Sequence, residues 1–161
     1  MGAGLGRRAY LVAAASAVVA MLVAVLVGSW ALRRATTVQV VDASGAATPA
    51  CQKVSAQWPA TVAGASRRAT TGSTASVAFG DPAIVVRCGV PALAPTSDEC
   101  VDVSGVAWVV HPLSDGSRLT TYGTDPALEL LVPSSYGAAP LVAADLGAVA
   151  RLLPTNGRTC Q

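Results

Sequence analysis

The chain has 161 residues, of which 52% are hydrophobic and 12% charged, and its formal net charge is +2. Four of its eleven basic residues flank a single N-terminal apolar run, so from residue 35 onward seven basic residues face nine acidic ones, a net charge of −2. A mildly acidic domain lacks the basic stripe that binds nucleic acid, and we therefore expect no nucleic-acid partner.

Residues 9–32 form an uncharged, mostly apolar run of 24 residues. As a helix this run would be about 36 Å long, which exceeds the roughly 30 Å hydrocarbon core of a bilayer. Tyr10 and Trp30 lie near its ends, where aromatic rings favour the headgroup region. The run predicts a single transmembrane helix that acts as an uncleaved signal anchor. A cleaved signal peptide is the alternative, although its apolar core is usually only about 7–15 residues long.

The arginines do not orient this anchor, because two precede it and two follow it. The cysteines do: all four lie beyond the anchor, and an even number of cysteines in a small exported domain indicates disulfides formed in an oxidising compartment. Residues 1–8 are therefore predicted to be a short cytoplasmic tail, and residues 48–161 an extracytoplasmic domain of a single-pass protein of the cell membrane.

Four cysteines allow three pairings. We favour Cys88 with Cys100, which closes a short loop, and Cys51 with Cys160, which joins the ends of the domain. A zinc site is the weaker alternative, because the sequence has no C-x-x-C pair and only one histidine.

Residues 33–47 are rich in small residues and are predicted to be a tether. Thr48 and Pro49 then suit the N-cap and the first position of a helix that runs through Cys51, Val54 and Trp58. Residues 63–75 are polar and are predicted to form a loop. Five further segments have strand character and one has helical spacing: strands at residues 76–79, 83–88, 105–111, 118–122 and 127–132, and a helix at residues 140–153.

Short connections between strands favour antiparallel neighbours. The predicted fold class is α+β: after the transmembrane helix, a small antiparallel sheet packed on one face against two helices and stapled by disulfides.

Charged residues of the domain are the candidate contacts for a ligand or partner. Arg67 and Arg68 form its only basic pair, and Asp81 lies in a Gly-Asp-Pro turn. Arg87 interrupts an apolar strand and needs a partner if it is buried. It either pairs with Asp81 or Glu129, which we favour, or binds an anionic ligand.

Catalysis finds little support in the sequence. His111 is the one histidine, no G-x-S-x-G motif accompanies it, and Asp98 and Glu99 lie in a loop beside a cysteine. No phosphate loop, dinucleotide fingerprint or metal-ligand cluster is present, so we predict no catalytic residues, no metal and no cofactor.

Several short motifs resemble an actinobacterial family of small membrane-anchored proteins, a domain-of-unknown-function family (family 3515). The resemblance covers about residues 50–160 and rests mainly on the run Gly80-Asp81-Pro82-Ala83-Ile84-Val85-Val86-Arg87-Cys88-Gly89-Val90-Pro91, with weaker support from Cys51, Trp58-Pro59, Arg67-Arg68, Cys100, Gly105-Val106-Ala107-Trp108, Thr120-Thr121-Tyr122-Gly123 and Cys160. One departure is Phe79, where tryptophan is expected. The resemblance implies an envelope protein with one anchor and implies no activity.

The sequence thus predicts a membrane-tethered envelope domain of unknown molecular activity, a non-enzymatic accessory or interaction module. Its expected partners are the bilayer, through residues 9–32, and another envelope protein or a cell-wall polymer. The alternatives are a module that binds a small anion at Arg87 and the Gly80–Pro82 turn and, more weakly, an envelope hydrolase that uses His111.

Overall fold

The computed structural model describes Ser16, residues 18–29 and residues 37–160. Residues 18–29 are helical and exposed, and they belong to a unit, Met1–Thr37, distinct from the unit that carries the sheet, Val38–Gln161. Within the described residues, no helix combines the length and the apolar character that crossing a membrane requires. The predicted span over residues 9–32 falls partly outside those residues and stays a prediction.

The elements of the sheet-bearing unit are labelled in chain order. Its helices are α1 (Pro49–Ser55), α2 (Ala139–Ala144) and α3 (Gly147–Ala150), and a 3-10 turn covers Ser134–Tyr136. Its strands are β1 (Thr61–Val62), β2 (Ala65–Arg68), β3 (Ser76–Phe79), β4 (Ile84–Val90), β5 (Cys100–Val103), β6 (Val106–Leu113), β7 (Gly116–Thr121) and β8 (Ala127–Pro133).

All eight strands form one sheet in the order β1-β2-β3-β4-β8-β7-β6-β5. Every neighbouring pair is antiparallel. Most consecutive strands are joined by short turns, as antiparallel pairing allows. The exception is the connection between β4 and β5, in which residues 91–99 connect the middle of the sheet to β5 at its edge.

Side chains alternate between the two faces of each strand. On β4, Ile84, Val86 and Cys88 are fully buried and belong to one apolar cluster that also contains Val54 of α1 and Val142 of α2. We call this side the core face, and it confirms the predicted α+β arrangement in which the helices pack on one side of an antiparallel sheet. The opposite side, which carries Arg87, is called the second face.

Local signals located some elements well. Thr48 caps α1, since its hydroxyl accepts a hydrogen bond from the Cys51 amide, and Pro49 occupies the first turn. The predicted loop at residues 63–75 contains β2, an edge-side strand whose mostly exposed polar side chains lack alternation. The predicted helix at residues 140–153 is two shorter helices. They separate where Asp145 accepts a hydrogen bond from the Ala63 amide at 2.7 Å.

The predicted cysteine pairing is wrong, although all four cysteines form disulfides as expected. Cys51 pairs with Cys88, and Cys100 pairs with Cys160. The reason is topological: α1 lies over β4, so Cys51 meets Cys88 inside the core. Cys100 begins the edge strand β5, where the C-terminal residues arrive.

The N-terminal segment of the unit, residues 38–47, was predicted to be tether and is instead attached to the sheet. Val38 pairs with Thr70, and the amide of Val40 donates to the Thr71 hydroxyl at 3.0 Å. Asp42 accepts hydrogen bonds from the Ser76 hydroxyl at 2.6 Å and from the Ser73 amide at 2.8 Å. The folded unit therefore begins ten residues before position 48, at Val38.

The bonds to Asp42 predict how this segment responds to acid. The hydrogen bond from the Ser76 hydroxyl, with that from the Ser73 amide, holds the pKa of the Asp42 carboxyl below its ordinary value of 3.8. A depressed pKa in the folded state adds stability above the ordinary value, and this contribution is lost as the pH falls through 3.8 and below. We expect Asp42→Asn to weaken the pH dependence of the urea midpoint between about pH 5 and pH 2.

Asp115→Asn is the matched control, since Asp115 is an exposed carboxylate in the β6–β7 turn. Urea unfolding curves at several pH values, recorded by circular dichroism, make the comparison. Equal pH slopes for Asp42→Asn and the unmodified chain would contradict the assigned role of this carboxylate.

Candidate functional site

Polar side chains cross the second face of the sheet in one continuous row. The strand register places Thr120 of β7 opposite Glu129 of β8, Glu129 opposite Arg87 of β4, and Arg87 opposite Ser76 of β3. Directly opposed residues have Cβ atoms about 5 Å apart, so each member can contact the next. Ser76, Thr120 and Glu129 are buried. A polar row at this depth needs internal partners, because unpaired buried polar groups are costly.

Arg87 and Glu129 form the centre of this row. The Arg87 Nε donates to Glu129 Oε1 at 2.9 Å, and Arg87 Nη2 makes a second, shorter contact with the same oxygen. Arg87 Nη1 donates to the carbonyl of Val41 at 3.0 Å. The predicted structural pairing of Arg87 with Glu129 is therefore present. Glu129 Oε2 accepts no hydrogen bond from the part of the chain that the structure describes.

The two ends of the row have different surroundings. At the Ser76 end, Asp42 and Val41 of the N-terminal segment cover it. At the Thr120 end it opens into a cavity of about 220 Å³ whose polar lining includes Asp98, His111, Arg118, Thr120 and Glu129. We call this space the central cavity. Its apolar lining residues are Val90, Leu93 and Val109.

The C-terminal strap, residues 154–160, lies near this site. The backbone amide of Asn156 in the strap donates to the Gly123 carbonyl at 2.8 Å. The backbone amide of Asp125 donates to the Pro154 carbonyl at 3.0 Å. Arg158 Nη1 donates to the carbonyl of Leu93, and the Cys100–Cys160 disulfide fixes the end. The strap and residues 91–99 are thus linked to each other as well as to the sheet.

Two further cavities adjoin the strap. One, of about 530 Å³, has Ala107, Ala150 and Leu153 among its apolar lining residues, and the other, of about 400 Å³, includes Thr96, Ser97 and Asp98. They share Tyr122 and four strap residues, and the smaller shares Thr96, Asp98 and Val109 with the central cavity. Concave space therefore continues from the central cavity to the strap.

Arg67, Arg68 and Asp81, the predicted contacts for a ligand or partner, mainly bind the protein itself. Arg67 Nη2 donates to the carbonyls of Trp58 at 2.6 Å and Pro59 at 3.0 Å. Arg68 Nη1 donates to the Gly80 carbonyl at 2.9 Å and lies 3.5 Å from Asp81 Oδ1. Both arginines also line a shallow cavity of about 290 Å³.

The structure does not bring Arg87 together with the Gly80–Pro82 turn. Arg87 pairs with Ser76, whereas the turn lies at the opposite end of the β3–β4 hairpin. Arg87 lies three positions along β4 from Ile84, the first residue of the strand and the one nearest the turn, a distance of about 10 Å. The Arg87 guanidinium is also occupied by Glu129 and Val41, which leaves the predicted anion site without its central group.

Sequence reasoning missed Arg118, and it did not connect His111 with Glu129. His111 of β6 faces Arg118 of β7 in the register, and both line the central cavity. The His111 side chain is exposed, and its imidazole forms no hydrogen bond within residues 37–160. The available signal was the alternation of side chains along each strand, which puts His111, Arg118 and Glu129 on the same face of the sheet. This signal became informative only once the strand order was known.

No group of three or more histidine, cysteine, aspartate and glutamate side chains among the described residues is arranged to hold a metal ion. The four cysteines are all consumed by disulfides. What remains at the central cavity is a mixed-charge set of donors and acceptors, which suits the binding of a polar group.

Comparisons with known proteins agree with the resemblance of the motifs. No curated protein and no solved structure matches the chain. A family model described as "Protein of unknown function (DUF3515)" matches residues 11–156, nearly the whole chain. The chain therefore belongs to the DUF3515 family.

Proposed function

We propose that this protein is a membrane-tethered, extracytoplasmic domain of the cell envelope that acts by binding and not by catalysis. The binding site is the second face of the sheet, between residues 91–99 and the C-terminal strap, and the partner is another envelope protein or a cell-wall polymer. The observation that carries the proposal is the polar row from Ser76 to Thr120, which opens into the central cavity.

The proposed location is supported by the two disulfides, since such bonds persist in oxidising compartments. The uncharged run at residues 9–32 supports the tether. Together they favour a domain outside the cytoplasm on a single anchor.

Binding is favoured over hydrolysis by the state of His111. A catalytic histidine is usually oriented by a hydrogen bond to a carboxylate and lies within reach of a nucleophile. In the described part of the chain the His111 imidazole forms no hydrogen bond, although Thr120 and Asp98 line the same cavity. The side chains at the site instead include hydrogen-bond donors and acceptors and carry both positive and negative charges, as a recognition surface needs.

The location is tested with the full-length chain in cells. We expect it to stay in the membrane pellet after alkaline carbonate extraction, and its domain to be cleaved by protease added outside intact spheroplasts. Release by carbonate, or protection from external protease, would contradict the proposed tether or orientation respectively.

Binding is tested with the purified full-length chain in detergent micelles. One arm measures co-sedimentation with insoluble cell-wall polymer, and the other measures photo-crosslinking in membranes from a probe at position 111. We expect Arg118→Ala to reduce capture about tenfold, as loss of a charged contact does. Lys53→Ala, which removes an exposed cation from α1, is the control and should leave capture unchanged. Absence of capture in both arms, or equal capture by both variants, would refute the proposal.

A further inference from the structure

We infer that the central cavity binds a small zwitterion, an α-amino acid in which an ammonium group and a carboxylate are bonded to the same carbon. This inference rests on the proposed binding role of the second face and names the ligand class of its central cavity. The volume of about 220 Å³ suits a molecule of amino-acid size.

The cavity is lined by a basic and an acidic side chain, Arg118 and Glu129, from adjacent strands. Arg118 opposes Leu131 of β8, so it is the diagonal neighbour of Glu129, two residues away on the same strand. Diagonal neighbours across a sheet lie about 7–8 Å apart. Arg118 and Glu129 thus line one cavity on adjacent strands, yet no ion pair joins them in the described structure.

An α-amino acid fits this separation. A hydrogen bond of about 2.8 Å from a guanidinium to the ligand carboxylate, and a similar one from the ligand ammonium to a carboxylate, add to the roughly 3 Å within the ligand. The total of about 8–9 Å is comparable with the diagonal spacing of about 7–8 Å between the two residues. Arg118 would hold the carboxylate and Glu129 Oε2 the ammonium.

The neighbouring groups reinforce both ends. Arg87 binds Glu129 through Oε1 alone, which fixes the carboxylate while Oε2 is left without a partner in the described residues. His111 faces Arg118 on the next strand and adds a donor at the carboxylate end. Asp98, on the segment between β4 and β5, also lines the cavity and adds an acidic group. The cavity therefore offers a contact for each charge of a zwitterion, and a ligand with only one charge leaves either Arg118 or Glu129 Oε2 without a ligand contact.

The test uses isothermal titration calorimetry with the purified full-length chain in micelles. The probes are alanine, leucine, aspartate and lysine in both enantiomers, followed by the N-acetyl and the amide derivative of the tightest binder. We expect at least one free amino acid to bind, and each blocked derivative, which lacks one of the two charges on the α-carbon, to bind about tenfold more weakly or worse. Arg118→Gln should weaken binding of the free amino acid by a similar factor, so that the variant binds the free amino acid and its amide equally well.

Arg151→Gln is the matched control, because Arg151 donates to the Ser104 carbonyl at 2.7 Å and lines a different cavity. Binding of no free amino acid, or equal binding of free and blocked forms, would overturn the inference. If capture of an envelope partner persists in that case, only the zwitterion site is refuted. If partner capture fails as well, the proposed function falls with it.

Discussion

Replacing Glu129 with alanine is expected to lower the free energy of unfolding by about 3 kcal/mol, the lower end of the range for breaking a buried ion pair. The Glu129 side chain is only 8% exposed, and its removal leaves the Arg87 guanidinium without a counter-charge. The lower end applies because the Arg87 side chain keeps 27% exposure and retains its bond to Val41. Urea unfolding at pH 7, followed by circular dichroism, measures the change.

Two variants give this prediction its contrast. Asp81→Ala breaks the Arg68–Asp81 ion pair, in which the Asp81 side chain is 86% exposed, and should cost less than about 0.5 kcal/mol. The double replacement Arg87→Met with Glu129→Leu removes both charges and should recover most of the stability, because a buried pair exchanged for apolar residues is often neutral. A loss for Glu129→Ala no larger than that for Asp81→Ala would contradict the central role of the Arg87–Glu129 pair.

What the sequence predicted depended on local chemistry. The start of α1 follows from Thr48 and Pro49 alone, since a cap and a first-turn proline need no information from elsewhere in the chain. Strand β3 was predicted at its observed bounds, and the partner of Arg87 was among two alternatives because a buried guanidinium requires a carboxylate.

What the sequence did not predict depended on strand order. The central cavity needs His111, Arg118 and Glu129 on three adjacent strands, and the placement of β8 between β4 and β7 is not encoded near any of them. Strand β5 did carry a weak signal, the alternation Val101-Asp102-Val103 before a Ser-Gly turn. The cysteine pairing was predicted wrongly because loop length favours partners close in sequence, whereas the packing of α1 on β4 decides the partner of Cys51.

The two disulfides are expected to differ sharply in their response to reductant. Cys51 and Cys88 are both fully buried, whereas Cys100 and Cys160 are partly exposed at the edge of the sheet. Thiol–disulfide exchange requires access of the attacking thiolate to a sulfur. Mild dithiothreitol without denaturant, followed by alkylation and mass mapping, should therefore label Cys100 and Cys160 first and leave Cys51 and Cys88 unlabelled.

Removing each disulfide by mutation measures how much it contributes to the free energy of unfolding, independently of its access to reductant. The bonds span 37 and 60 residues, for which loop entropy alone gives about 4 kcal/mol each. We expect Cys51→Ala with Cys88→Ala to cost more than Cys100→Ala with Cys160→Ala. The first pair joins the core to α1, a helix of seven residues that is too short to persist alone, and its loss releases the apolar contacts of Val54 as well. The second releases only the end of the strap, which Asn156 and Arg158 still attach. Urea unfolding of the two double variants measures both losses in the free energy of unfolding. Equal losses, or a larger loss for the Cys100 and Cys160 variant, would show that α1 does not depend on its disulfide.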